Sequence, residues 1–334
     1  MIEKAVCFLF CGELGWEYLR FQGYCRKMAK ELKSRDSKYL FFVCTHEGRD
    51  VFYRDFCDGH IFHRWWFTLN SGNGHTDFGE NHGYGKVWLK DKDFIRLKNW
   101  AGIVIQQKYG LPCEVVSHGL GIKYYMCYES QHMCKITNVE ERETWEKLRT
   151  DYLDGFKTIV AVCPRHRKVA DARNWGEDRY KELIHRLMLA EVGVVICGHP
   201  NYSTCLDIRT QCGVVNLTEL PSTYSLDIAI CAFDSCSCVI GGQSALPVIA
   251  LGQGIPAVMW GCEKIRHSQI YNWTHTSCLF LEDQNYCLPP EHIFNKYTEF
   301  ADSATKWNPE ENIEWQMLRQ GDFLPNEKIK KNET

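Results

Sequence analysis

The sequence predicts an α/β protein of two consecutive domains, each a parallel sheet flanked by helices, with a ligand cleft between them. Three observations carry this. Short apolar runs alternate with amphipathic segments, once over residues 4–117 and again from residue 158 to residue 282. Each series opens with a strand-like run that breaks directly into a polar or glycine-containing turn. The chain has 334 residues, enough for two domains of ordinary size.

In the first series, residues 4–10 read as a strand ending at Cys11-Gly12-Glu13-Leu14-Gly15, and 16–33 as a long amphipathic helix. Residues 39–44 form a second strand, 49–56 a helix and 60–62 a short third strand. Arg64-Trp65-Trp66-Phe67 then leads into 68–85, a glycine-rich stretch without periodicity. A long irregular loop in a compact domain is functional or disordered, and its aromatic residues favour function. A helix over 92–109 and a strand over 113–117 follow, the strand ending at His118-Gly119. The charged helix over 140–151 is expected to connect the domains, giving a division into 1–150 and 151–334.

In the second series, the strand at 159–163 ends at Pro164-Arg165-His166-Arg167-Lys168. A helix over 177–190, a strand over 192–197, a short strand over 214–217 and a helix over 222–233 come next. Then the apolar run at 238–240 breaks into Gly241-Gly242-Gln243-Ser244, an amphipathic segment runs to Gly252, and Gly254 and Pro256 precede an apolar run ending at Trp260. This is one βαβ unit. Residues 278–282 form the last strand, and helices with Trp307 and Trp315 as packing anchors are expected to fold back on the first domain.

Composition excludes several classes. Hydrophobic residues at 45% and charged residues at 24% fit a soluble globular chain with a net charge of −3. Residues 328–331 are the nearest thing to a basic track, so no nucleic-acid partner is expected. No apolar run reaches the roughly 18 residues of a membrane span, and the N-terminal run is too short for a signal peptide. The 18 cysteines lie scattered in apolar runs with no C-x-x-C pair. They read as buried free thiols of a reducing cytoplasm, and no metal is expected.

The chemistry is expected where loops leave the carboxyl ends of the strands, facing the cleft. Gly241 and Gly242 would let a ligand approach the backbone. Beside them, Gln243, the Ser244 hydroxyl and the free amides of a helix N-terminus suit a phosphate or diphosphate. Arg165 and Arg167 could neutralise that diphosphate, with bidentate forks. Trp260 and Glu263 follow the next strand and would contact a nucleotide base or sugar. In the first domain, Glu13 at the tip of the first strand could act as a general base. It would equally serve as an acid favoured by the helix macrodipole. Glu17 is an alternative base, an acceptor contact, or a partner for Arg20 or Arg26. Trp65 and Trp66 offer aromatic faces for an acceptor sugar, with His75, Asp77, Glu80, His82 and His118 as further candidates.

On these residues the chain resembles the GT-B glycosyltransferases, and among them the heptosyltransferase-like group. The likeness is sharpest over 216–261, where Asn-Leu-Thr, a helix and Val-Ile-Gly-Gly-Gln-Ser-Ala lead to Gly254-Ile255-Pro256 and Trp260-Gly261. In that family, Asp-Ser/Thr-Gly usually follows the strand and a His lies in the helix. Ser244 takes the Ser/Thr position, whereas Gln243 stands for the Asp and Val248 for the His. The Gly-Glu-Leu-Gly-Trp-Glu run at 12–17 is also similar to a less-studied group of microbial and viral transferases.

The resemblance implies two facing Rossmann-like domains, with the acceptor on the first and a nucleotide-diphosphate sugar on the second. It implies inverting transfer to a glycan hydroxyl, with Glu13 at the position of the family's acidic base and no metal. The same fold also hosts sugar-nucleotide epimerases, and a non-catalytic sugar- or nucleotide-binding subunit is the alternative from another class.

Overall fold

The computed structural model describes residues 4–11, 14–63, 91–117, 135–167, 171–221, 225–262, 274, 276–301 and 303–304. The first sheet contains β1 (Lys4–Leu9), β2 (Tyr39–Thr45), β3 (Gly59–Phe62) and β4 (Cys113–Ser117), in the order β3-β2-β1-β4. The second contains β5 (Ile159–Cys163), β6 (Gly193–Ile196), β7 (Val214–Asn216), β8 (Cys238–Gly242), β9 (Ala257–Gly261) and β10 (Cys278–Glu282), in the order β10-β9-β8-β5-β6-β7. Every pairing in both sheets is parallel. Parallel strands are covered on both faces, so they read as unbroken apolar runs. The central strands β5, β8 and β9 are accordingly buried from end to end.

Helix α1 begins with a single turn (Leu14–Trp16), passes through a π-helical stretch (Glu17–Phe21) and continues regularly over Gln22–Arg35. The sequence pattern predicts one uninterrupted helix here, and the π stretch is the difference. The remaining helices are α2 (Asp91–Tyr109), α3 (Arg142–Leu153), α4 (Glu177–Leu189), α5 (Ser225–Ser235), α6 (Ala245–Gly252) and α7 (Pro290–Ala301). The helix expected over 49–56 is a single 3-10 turn, Asp50–Phe52, followed by turns. Tertiary partners hold that segment: Arg49 reaches back to Glu17, and Arg54 is drawn to Asp50 and Asp227. Helix α7 packs against α4 of the second sheet's layer, and Trp307 and Trp315 lie outside the described residues.

The two sheets share a core. One cluster of buried residues runs from Val6 and Phe8 of β1 and Phe10 just past it, through Tyr18 and Phe21 of α1, to Val248 and Ile249 of α6 and Ala161 of β5. Polar pins cross the same boundary. Arg54 binds Asp227 on α5, and the other oxygen of Asp227 accepts from the Glu140 amide at 3.2 Å. A second cluster on the far face of the second sheet stacks Trp175, Tyr180 and Trp260, with Trp175 and Trp260 centroids 4.7 Å apart. Every described cysteine is a free thiol. Among the described residues, no helix is long and apolar enough to cross a membrane.

Candidate functional site

In the second sheet, β5 pairs with β6 on one side and β8 on the other, so the winding reverses between β5 and β8. Such a switch point opens a crevice beyond the carboxyl ends of the two strands. Cys163 at the end of β5 is in register with Gly241 near the end of β8. The loop carrying Arg165 and Arg167 therefore leaves the sheet beside the turn carrying Gln243 and Ser244. The first sheet reverses likewise between β1 and β4, which brings Cys11, just past β1, and Ser117, at the end of β4, to its crevice.

The arginine loop is built by Asn174. Its Oδ1 accepts from Arg165 Nη1 at 2.5 Å and from the Arg167 amide at 3.0 Å, while its Nδ2 donates to the Arg167 carbonyl at 2.8 Å. Arg165 also forms a β-bridge with Ser203, and its side chain is buried. A further cation joins them: Arg173 donates Nη2 to the Gln243 carbonyl, one residue before Ser244. Arg173 and Asn174 escaped the sequence reading because they sit in a loop between β5 and α4 with no motif around them. The available signal was their place after a strand end, next to Trp175, whose Nε1 is anchored on the Leu288 carbonyl at 2.9 Å.

Gly241 and Gly242 have different reasons from those expected. Both lie inside β8 and are buried. A Cβ at Gly241 would stand 2.9 Å from Pro247 Cγ and 3.0 Å from Cys163 Cβ, so packing against α6 and β5 requires the glycine. A Cβ at Gly242 would meet only ordinary contacts, Trp260 Nε1 at 3.5 Å and the Tyr180 hydroxyl at 3.7 Å, and would face the core. The turn itself is Gln243-Ser244. Ser244 is half-buried with extended backbone at the N-cap of α6, and its hydroxyl does not cap the helix. The positive end of α6 thus lies at the crevice with the Ser244 side chain beside it. Pro247, in the first turn, contributes no amide there.

Two expected donor contacts are corrected. Trp260 is fully buried in the aromatic cluster, because its register partner is the side-chain-free Gly242 and the indole lies over that position. It is a core residue and cannot stack on a base. Gln243 is also buried: Oε1 accepts from the Tyr286 hydroxyl at 2.9 Å, and its amide donates to the Trp260 carbonyl at 2.8 Å. A Cβ at Gly261 would lie 2.5 Å from Gln243 Oε1, so the amide side chain fills the space that glycine vacates. Gln243 ties β8, β9 and the β10–α7 loop together rather than facing a ligand. Glu263 and Lys168 lie outside the described residues.

On the first sheet, Glu13 lies outside the described residues, as do Trp65, Trp66, His75, Asp77, Glu80, His82 and His118. The chain on either side of Glu13 is described. Phe10 donates its amide to the Cys44 carbonyl at 2.9 Å, and Gly15 stands against Ala245, the first residue of α6, where a Cβ on Gly15 would lie 3.6 Å from that of Ala245. The first turn of α1 therefore meets the N-terminus of α6.

Glu17 is corrected as an acceptor contact or base. Its side chain is fully buried and accepts from Thr45 Oγ1 at 2.5 Å, Arg49 Nη1 at 3.0 Å and the Tyr53 hydroxyl at 3.0 Å. Burial pushes its carboxyl upward, and Arg49, Thr45 and Tyr53 oppose that shift. Its arginine partner is Arg49, while Arg26 pairs with Asp55. Burial also lowers His63 to about 4, against a hydrogen bond to the Phe10 carbonyl at 2.8 Å. His199, at the end of β6, is lowered to about 4 by burial and then by the charge of Arg49. Arg49 thus sits close enough to both sheets for its charge to be felt across the boundary. Among the described residues, no group of three or more His, Cys, Asp or Glu is placed to hold a metal ion.

No family model matches the chain, and no curated protein matches it in sequence. Its fold is found in solved structures. A glycosyl transferase family 9 structure from Veillonella parvula superposes with a TM-score of 0.55 at 12% identity, covering 91% of this chain and 99% of that one. The ADP-heptose LPS heptosyltransferase II of E. coli superposes with a TM-score of 0.54 at 12% identity, covering 90% and 99%. The chain has the GT-B fold of these proteins.

Proposed function

We propose that this protein is a glycosyltransferase that moves a sugar from a nucleotide-diphosphate donor to a glycan hydroxyl. The observation that carries the reading is that the loop of Arg165 and Arg167 leaves β5 beside the Ser244 turn and the amino end of α6 at the switch point between β5 and β8, with Arg173 bound to the Gln243 carbonyl at that turn. A leaving diphosphate develops charge as the anomeric bond breaks, and preorganised amides and guanidiniums stabilise that charge in a partly dry crevice. In this reading these groups do the work that a metal does elsewhere.

The acceptor hydroxyl approaches from the first domain, along Trp65, Trp66 and the 72–85 loop. Glu13 takes its proton, and the oxygen attacks the anomeric carbon with inversion. The packing of Gly15 on Ala245 supports this role for Glu13, because it brings the chain two residues after Glu13 to the helix end that would hold the diphosphate. The free thiols fit a reducing, cytoplasmic setting.

The test is a thermal-shift screen against UDP, GDP, ADP, CMP and dTDP, followed by the matching sugar nucleotide with Glu13→Gln. One nucleotide should raise Tm by mass action, and the variant should keep that binding while losing transfer. If no nucleotide stabilises the chain, the reading fails.

A further inference from the structure

The helix that ends at the candidate donor site also lies along the segment that follows the candidate base. Gly15 meets Ala245 at the amino end of α6. Two turns further along α6, Gly252 has no side chain because a Cβ there would fall inside the phenol of Tyr18. Tyr18 belongs to the π-helical stretch Glu17–Phe21 and is fully buried. Its hydroxyl accepts from Gln253 Nε2 at 2.9 Å, and Gln253 Oε1 accepts from the Ile136 amide at 2.9 Å. On its own side Tyr18 is held by Phe52, with ring centroids 5.3 Å apart, and by Gln22, whose Nε2 donates to the Tyr18 carbonyl at 3.0 Å.

A core needs only apolar fill at such a place. Here a buried glutamine instead spends both ends of its amide on partners outside the second sheet. A buried polar contact that is fully satisfied admits one arrangement and penalises its neighbours, because any slip leaves Gln253 unpaired out of water. A glycine under the Tyr18 ring adds a steric stop. Together they fix one axial position of α1 on α6.

Resting on the transfer reading above, we propose that Tyr18 is a positioning residue: its contact with Gly252 and Gln253 sets the register between α1, which begins one residue after the candidate base in sequence, and the helix end that would hold the donor diphosphate. Misplacement of reacting groups by about 1 Å can cost roughly a hundredfold in rate. A device that locks the two halves together at this point therefore bears directly on turnover.

Hydrogen exchange read by mass spectrometry tests this on the full chain, with and without whichever of UDP, GDP, ADP, CMP and dTDP stabilises it most. In the wild type, the nucleotide should slow exchange in residues 245–252 and also in 14–21. Tyr18→Phe keeps the ring and removes the hydroxyl. Protection over 245–252 should persist while that over 14–21 is largely lost. Hydrolysis of the matching sugar nucleotide should fall about tenfold or more in kcat, with KM nearly unchanged. Gln253→Met removes the same hydrogen bond from the other side and should reproduce the pattern.

Coupled protection that survives both substitutions, or wild-type protection confined to 245–252, overturns the proposal. So does unfolding of both variants, which would make the contact structural only. Absence of protection at 245–252 in the wild type sinks the donor-site reading itself, and the two failures are thereby told apart.

Discussion

Gly241 and Gly242 are adjacent, identical and equally buried, yet the structure gives them opposite responses to a methyl group. Gly241→Ala puts a Cβ 2.9 Å from Pro247 Cγ, 3.0 Å from Cys163 Cβ and 3.3 Å from the Cys163 carbonyl. Neither a proline ring in the first turn of α6 nor a backbone oxygen of a central strand can yield cheaply. Overpacking of this kind costs about 1–3 kcal/mol, while replacing glycine by alanine in a strand returns about 0.5–1 kcal/mol of unfolded-state entropy. The net expectation is a loss of about 1–2 kcal/mol, read as a fall in Tm of roughly 1.5–3 °C.

Gly242→Ala meets nothing nearer than 3.5 Å. The entropy term then stands nearly alone, and the variant should be unchanged or more stable by up to about 1 kcal/mol. Because that Cβ faces Trp260 and Tyr180, nucleotide affinity should also be unchanged. The assay is thermal or urea unfolding of both variants beside the wild type, with calorimetric nucleotide titration. If Gly242→Ala keeps its stability but loses nucleotide, the residue is a ligand-approach glycine after all and the packing account of this turn is refuted. Equal stability of the two variants would refute it as well.

Removing Arg173 with alanine should weaken the stabilising nucleotide by roughly tenfold to a hundredfold in titration, the scale of a hydrogen bond to a charged group, with little change in Tm. Glu17→Ala leaves Arg49 buried without its carboxylate and should cost about 3–5 kcal/mol in urea unfolding, making it a stability variant rather than a catalytic one. His63 is held at about 4 in the fold, below its ordinary 6.5, so the unfolded chain binds the extra proton between those values. Stability is therefore present above about pH 6.5 and falls as the pH drops towards 4, by up to about 3 kcal/mol. His199 is lowered to the same value and contributes over the same range, so His63→Gln should remove about half of that pH dependence, and an unchanged profile would show that His63 is not a titrating group.

How much of this was legible in the sequence follows from the range of the forces involved. The strands of both sheets are readable because a parallel strand covered on both faces is a continuous apolar run, and β5, β8 and β9 are such runs. The position of Arg165 and Arg167 is readable too, since a loop leaving a strand end in an α/β sheet must surface at one edge. What is not readable is which residues lie beside each other across strands. Trp260 looks like a loop-edge aromatic until its register partner proves to be Gly242, and Gln243 looks like a ligand until Tyr286 and Gly261 close around it. The helix expected over 49–56 has adequate local propensity, and Arg49 and Arg54 override it through Glu17 and Asp227, residues far away in sequence.

The same distinction explains why the glycine turn misdirects a reader and why the site nevertheless survives. A glycine pair after a strand suits two demands, close approach of a ligand and close approach of a neighbouring element, and composition cannot separate them. At this turn the neighbours win: Pro247 and Cys163 claim Gly241, and the aromatic layer takes the space beside Gly242. The Gly241 contacts press α6 onto β5 and β8, and so hold its amino end at the crevice where the strand order reverses. Arg173 reaches that end through the carbonyl of Gln243, the residue whose own side chain is walled in. Gly241 thus acts on the candidate diphosphate site through packing: it aims the helix, and the helix end with Arg173 would meet the ligand.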